Sequence, residues 1–348
     1  MPANIRETII SLGYVSQADL STANILADFR TLPKNNAALA EIRGNVETDA
    51  EDIGKGHEFA ANAFQLGRDT TFQIQSFLNS EIVAFAFAYG LGGSVASNPG
   101  SGDAYRHTAS PLNPVSGGIE LPAFSVIETI RQGASAVLDR MLVGNAVEGW
   151  QIALNSGPGR QNAQITIDCV GSGYLTEPSS ITVPSVETTH SLNAGSAAIT
   201  INGTDYVTAK TFVSAEFGFR NNHRLDAGYY PGSGTQDGFQ IRGRMEFGDR
   251  EPSLRFVARF ENGSDELTKL TELTEGTAVI TLTGALIDGA VYHDLSVTFH
   301  RCIFTSAVIG DTDGIVTVAV EAAPMYHESN GLMTCYATNL EPLVADES

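Results

Sequence analysis

The residue types that could do chemistry are dispersed along this chain. Its histidines stand at 57, 107, 190, 223, 293, 300 and 327. His293 and His300 are separated by an odd number of residues, which on one strand sends them to opposite faces. No phosphate loop, Gly-x-Ser-x-Gly elbow, His-Glu-x-x-His or paired Cys-x-x-Cys occurs. Asp311-Thr312-Asp313-Gly314 opens like a calcium loop, yet the third acidic ligand and the downstream glutamate are absent. Asp-Gly between two β-like runs fits a tight hairpin turn better. A carboxylate pair for glycoside hydrolysis stays open with 40 acidic residues present, but no cluster of aromatic and acidic residues outlines a sugar cleft. The residues therefore point to no catalytic set, no metal and no cofactor, and the chain reads as non-enzymatic.

The chemistry that remains is charge carried in alternation. From Phe239 to Phe247, apolar or small residues alternate with Gln240, Arg242, Arg244 and Glu246. After Gly248-Asp249-Arg250-Glu251-Pro252, Leu254, Phe256, Ala258 and Phe260 alternate with Arg255, Arg259 and Glu261. A period of two gives each strand one apolar and one polar face, and the short polar joint predicts an antiparallel hairpin over 239–261. A second alternating pair lies at 42–75. Arg43, Asn45, Glu47, Asp49 and Glu51 share one parity, Gly54-Lys55-Gly56 breaks the strand, and Thr71, Gln73 and Gln75 alternate with Phe72, Ile74 and Ser76. The first polar face is acidic and the second basic.

Composition bounds the rest. The chain has 348 residues, is 42% hydrophobic and 17% charged, and carries a net charge of −20. That length allows one large domain or two fused ones. No apolar run is long enough to span a bilayer. Abundant glycine with little helical periodicity points to β structure, and the acidic balance argues against a general nucleic-acid binder. Cys169, Cys302 and Cys335 lie far apart in strand-like runs, which suits buried thiols in a reducing compartment. The amino terminus has no charged-then-apolar signal pattern.

Each hairpin is followed by a cap and a short helix. Asn79-Ser80-Glu81 can cap a short helix within 80–90, from Glu81 to Tyr89, which Gly90 and Gly92-Gly93 would end. Its continuous apolar run reads as a buried helix, with a buried strand the alternative that pattern alone leaves open. Ser264, as N-cap, precedes a helix over 265–274 with Leu267, Leu270 and Leu273 at helical spacing. The order hairpin, cap, helix, glycine thus occurs twice, which predicts an internal duplication. The first β half spans 1–170, a Ser/Thr/Gly-rich connection 171–210, and the second β half 211–348. Further strands are expected at 123–129, 147–154, 163–170, 211–219, 279–283, 294–302, 315–321 and 333–338. Trp150 shares a face with Ile152 and Leu154 and is assigned to the core. The segment 341–348 reads as a mobile acidic tail. The residues thus predict a mainly β fold with two long hairpins and short flanking α-helices.

Leu121-Pro122-Ala123-Phe124-Ser125-Val126-Ile127-Glu128, Leu142-Val143-Gly144-Asn145-Ala146-Val147 and Trp150–Asn155 resemble the tail tube proteins of long-tailed bacteriophages. Gln164–Gly171, Val297–Ile303, Asp313–Val318 and Tyr336–Asn339 extend the resemblance over about 40–340. It implies a β-sandwich or half-barrel with two long hairpins and short flanking α-helices, in a virion protein assembled in the host cytoplasm whose hexameric rings stack into a hollow tube that conducts genomic DNA during ejection. By the same resemblance its partners are further copies of itself, the tape measure protein, the tail terminator and distal tail proteins, with DNA as unbound cargo and no membrane. Both hairpins would then line the channel, through Arg43, Glu47, Asp49, Glu51, Thr71, Gln73, Gln75, Gln240, Arg242, Arg244, Glu246, Arg255 and Arg259. Hairpins of opposite sign side by side would mask the arginines from DNA. The alternatives are a β-sandwich binding or decoration module of the capsid or adhesin kind and, beyond that, a carbohydrate-active β-sandwich enzyme.

Overall fold

The computed structural model describes residues 6–17, 19–31, 39–49, 62–100, 102–113, 115, 118–132, 135–157, 162–177, 181, 191–312, 314–342, 344 and 345. The chain is mainly β, and two strand sets with one connectivity build it. The first comprises β1 (Arg6–Gly13), β2 (Phe29–Thr31), β3 (Glu41–Asp49) and β4 (Asn62–Phe77). Helix α1 (Ser80–Leu91) and the short strands β5 (Val95–Ser97) and β6 (Tyr105–Ala109) come next. The set closes with β7 (Phe124–Gln132), β8 (Ser135–Asn155) and β9 (Ala163–Thr176). In space its order is β2–β1–β7–β8–β9–β4–β3, antiparallel throughout.

The second set comprises β10 (Ala197–Ile201), β11 (Thr204–Asp205) and β12 (Phe212–Arg220). The small strands β13 (Thr235–Gln236) and β14 (Phe239–Gln240) precede β15 (Glu251–Arg259) and α2 (Glu266–Thr271). β16 (Gly276–Asp288), β17 (Val291–Thr312), β18 (Ile315–Pro324) and β19 (Met333–Asn339) complete the chain. The spatial order β11–β10–β16–β17–β18–β15–β12 repeats that of the first set strand for strand. The sets join where β12 pairs with the distal part of β8. β19 adds β6 and then β5 alongside β17.

α1 forms the centre of the core. Its run Ile-Val-Ala-Phe-Ala-Phe-Ala has no polar stripe, so the helix needs cover all round, and every residue of it is buried. Asn79 caps it by accepting from the Ile82 amide at 2.8 Å, and Gly92 ends it in the left-handed conformation. Phe87 meets Trp150 at a ring distance of 4.9 Å. Trp150 is a core residue, and the three cysteines are buried and unpaired. α2 is shorter than expected. Its N-cap position is Asp265 with no side-chain cap bond, and the Ser264 hydroxyl accepts from the Glu261 amide at 2.9 Å. Leu273, with φ 50°, bars continuation to 274.

The expected strands are present, several of them longer than the alternation suggested. The hairpin at 42–75 is β3–β4; Glu51 and Gly54-Lys55-Gly56 lie outside the described residues. The hairpin at 239–261 does not form. Both edges of β15 are taken by β12 and β18, so 239–247 has no edge to join. Only Phe239–Gln240 is a strand, pairing with β13 and touching β4 at Gly67. The amides of Arg242, Gly243 and Phe247 donate instead to the carbonyls of Ser172, Gly228 and Ile119.

The connection at 171–210 also changes. β9 continues to Thr176, and β10 and β11 occupy 197–205 around a tight Asn202-Gly203 turn, both residues at positive φ. The tail is anchored over its first residues. Glu341 is buried against Arg30 at 2.9 Å, and the Ala345 amide donates to Tyr14. Asp311–Gly314 is the β17–β18 turn, with the Gly314 amide donating to the Asp311 carboxylate at 3.0 Å; Asp313 lies outside the described residues.

Candidate functional surface

Paired residues on neighbouring strands share a face, so the registers define continuous rows across both sets. One inward row runs Ile165, Ile152, Phe217, Leu254 and Ala322. The next, outward row runs Gln164, Ala153, Glu216, Arg255 and Glu321. A second outward row runs Gln73, Asp168, Gly149, Arg220 and Glu251. The junction between the sets therefore interrupts neither the apolar nor the polar face.

The outward face is cross-linked by its own side chains. Gln75 donates to Gln73, and Gln73 to Asp168, both at 2.7 Å. Gln151 donates to Glu216, and Arg255 pairs with Glu321. Arg220 lies 3.6 Å from Glu148. Glu148 also accepts from His223 at 2.7 Å. Burial would raise its carboxyl, but the His223 bonds outweigh that and hold it below the ordinary range. Asn221 donates to the carbonyls of Gly90 and Val147, tying this end of the junction to α1.

The sequence-derived surface residues divide into groups. Thr71, Gln73, Gln75, Arg255 and Arg259 share the continuous outward face. Arg43 is exposed on the β3–β4 ribbon and bonds Glu41 at 2.8 Å. Glu47 is exposed further out, beyond a bulge at Gly44/Val46, and Asp49 stands opposite Asn62. Gln240, Arg244 and Glu246 belong to the segment covering one end of the sheet, where Gln240 bonds Ser233 and Arg244 lies 3.7 Å from Glu120.

Arg242 is not on a wet face at all. It is 3% exposed, pairs with Asp69 and donates to the carbonyls of Gly171 and Leu225. Its guanidinium also stacks on Tyr229. Alternation misplaced it because a buried arginine satisfied by carbonyls and a carboxylate has the same parity as a solvated one. No carboxylate among the described residues pairs with Arg259. Asp168, Gln151, Glu216, Arg220 and Glu321 were missed as face residues. Their strands alternate visibly, but only the register reveals that they share one face.

A second polar cluster lies inside the core. Ser80 bonds His293 Nδ1 at 2.9 Å, and Glu81 approaches the same nitrogen at 3.7 Å. A nucleophile–base–acid relay needs the acid on the other ring nitrogen and an accessible hydroxyl, whereas Ser80 is fully buried. Burial pushes the Glu81 carboxyl up to about 7. No group of three or more metal-ligating side chains occurs among the described residues. No family model and no curated protein matches the chain.

Proposed function

We propose that this chain is a tail tube subunit, a structural virion protein whose closed rings stack into a hollow tube that conducts genomic DNA. The observation that carries the reading is the sheet face shared by both strand sets. It is wide, polar and built across a duplicated topology, and carboxylates oppose its Arg220 and Arg255, while Arg259 has no carboxylate partner among the described residues. A barrel closed by several copies would place this face inward and each chain's apolar core outward of it, removing free strand edges. DNA sliding past needs a surface that does not neutralise its phosphates, because each neutralised phosphate adds affinity. Here Arg255 is matched by Glu321, and Arg220 by Glu148. For these two arginines the masking is within one chain and between neighbouring strands, rather than between two hairpins of opposite sign. The tape measure protein, tail terminator and distal tail proteins are the partners this role entails.

Negative-stain microscopy of the purified chain at high concentration tests the proposal. Hollow tubes or rings of uniform width are expected. A chain that stays monomeric at every concentration, with or without tail-tip extract as initiator, would instead favour a binding or decoration module.

A further inference from the structure

The two strand sets meet at a junction that has a vacant counterpart. Matching the inward positions Phe72, Ile74 and Ser76 of β4 with Leu254, Phe256 and Ala258 of β15 fixes the equivalence of the sets. Ile74 pairs through Ile167 to Trp150, and Phe256 through Val320 to Ala307, so Trp150 corresponds to Ala307. The bulges agree independently: β8 is irregular between Val147 and Gly149, and β17 between Phe304 and Ser306. In the same frame Ile42, opposite Thr70, corresponds to Phe219, opposite Pro252.

Within the chain, Trp150 of β8 pairs with Phe219 of β12, and the two are 3% and 2% exposed. The corresponding Ala307 and Ile42 are only half-buried, although both pack against the core. Ile309, the counterpart of fully buried Ile152, is 49% exposed. β17 beyond Cys302 pairs only with β18 among the described residues, and β3 only with β4. The free β17 edge carries no lysine or proline to blunt it, and exposes Val308 and Ile309. Such an edge is a template for another strand. Just before β3, the Ala40 amide and carbonyl are held by Glu128 and Arg140, which fixes where the free β3 edge begins.

We infer that β3 of one copy pairs antiparallel with the distal part of β17 of the next, Ile42 opposite Ala307, repeating between chains the β12–β8 junction within the chain. The two surfaces differ, so the contact is head-to-tail and propagates from copy to copy until a ring closes. The inference rests on the self-assembly in the proposed function and names the contact that carries it.

Paired cysteines test the register, since directly opposed strand residues lie within disulfide reach. The double variant Ile42→Cys/Ala307→Cys, oxidised mildly after assembly, should give a reducible ladder of dimers and higher multiples on a non-reducing gel. Mixing the two single variants should give dimers and nothing larger, and each single variant alone should give none. Ile309→Lys should keep the monomer's circular dichroism while raising the concentration needed for assembly at least tenfold. Tubes that form without the ladder, or dimers from one single variant alone, would overturn the pairing and leave the tube proposal standing. A ladder without rings or tubes would overturn the tube and keep the pairing. Neither ladder nor assembly would overturn both.

Discussion

At the scale of single residues, two buried charged side chains govern measurable behaviour. Burial is the leading cause that lifts the Glu81 carboxyl to about 7. Between its ordinary value and about 7 the folded chain holds a proton that the unfolded chain has lost, so stability falls as pH rises through that window. The penalty is complete above about 7 and is on the order of 3 kcal/mol. Glu81→Gln should therefore flatten the decline in stability between pH 5 and pH 8 in urea titrations; an unchanged slope would exclude Glu81 as its source. Arg242 acts oppositely, as a tether. Its bonds to Asp69, Gly171 and Leu225 hold the 221–250 segment against β4 and β9. Arg242→Met should cost about 2–4 kcal/mol, because it strands a partly buried carboxylate. Amide exchange should quicken first at Gly228 and Gly243, while β8 and β9 keep their protection.

At the scale of elements, the contact between α1 and β8 shows packing overriding local propensity. A helix-interior glycine costs about 1 kcal/mol relative to alanine, yet a Cβ at Gly90 would lie 2.8 Å from Trp150 Cδ1. The indole cannot retreat, because Phe87 meets its ring. Gly90→Ala should therefore lower the melting temperature despite the better propensity, by about 1 kcal/mol of overpacking net. A rise would mean that β8 yields at this point. The fate of 239–261 follows the same logic. Phe256 and Leu254 alternate as an isolated hairpin strand would, but Val320 and Phe217 on the flanking strands cover them from both sides. Alternation is a property of a strand, while the choice of partner belongs to the sheet.

At the scale of the whole molecule, the repeated strand order has a consequence for images of any ring. In the proposed tube each chain would supply two equivalent wall units, so low-resolution top views should show an apparent rotational symmetry twice the copy number obtained from the particle mass. Equal numbers would mean that only one strand set lines the wall. The polar face makes a separate prediction. Removing the partners of Arg255 through Glu216→Gln/Glu321→Gln should leave the fold intact but give the assembly salt-sensitive DNA retention in a filter assay. Retention no greater than that of the unsubstituted assembly would show that masking is unnecessary.

The β class, the core position of Trp150, the Asn79 cap of α1, the turn at Asp311–Gly314 and most strand positions are all legible in short stretches of the chain. Each of these depends on neighbours within a few residues, where alternation, capping and turn chemistry act directly. Tertiary structure decided which strand lies beside which, and so turned Phe239–Glu261 from a hairpin into a covering segment followed by a central strand. It also decided that Arg242 is buried while Arg255 is exposed, although both occupy the polar parity of an alternating run. The continuous face and its open edges emerge only from register, because Gln73, Asp168, Arg220 and Glu251 are remote in sequence and meet only when the two sets fold onto a common sheet.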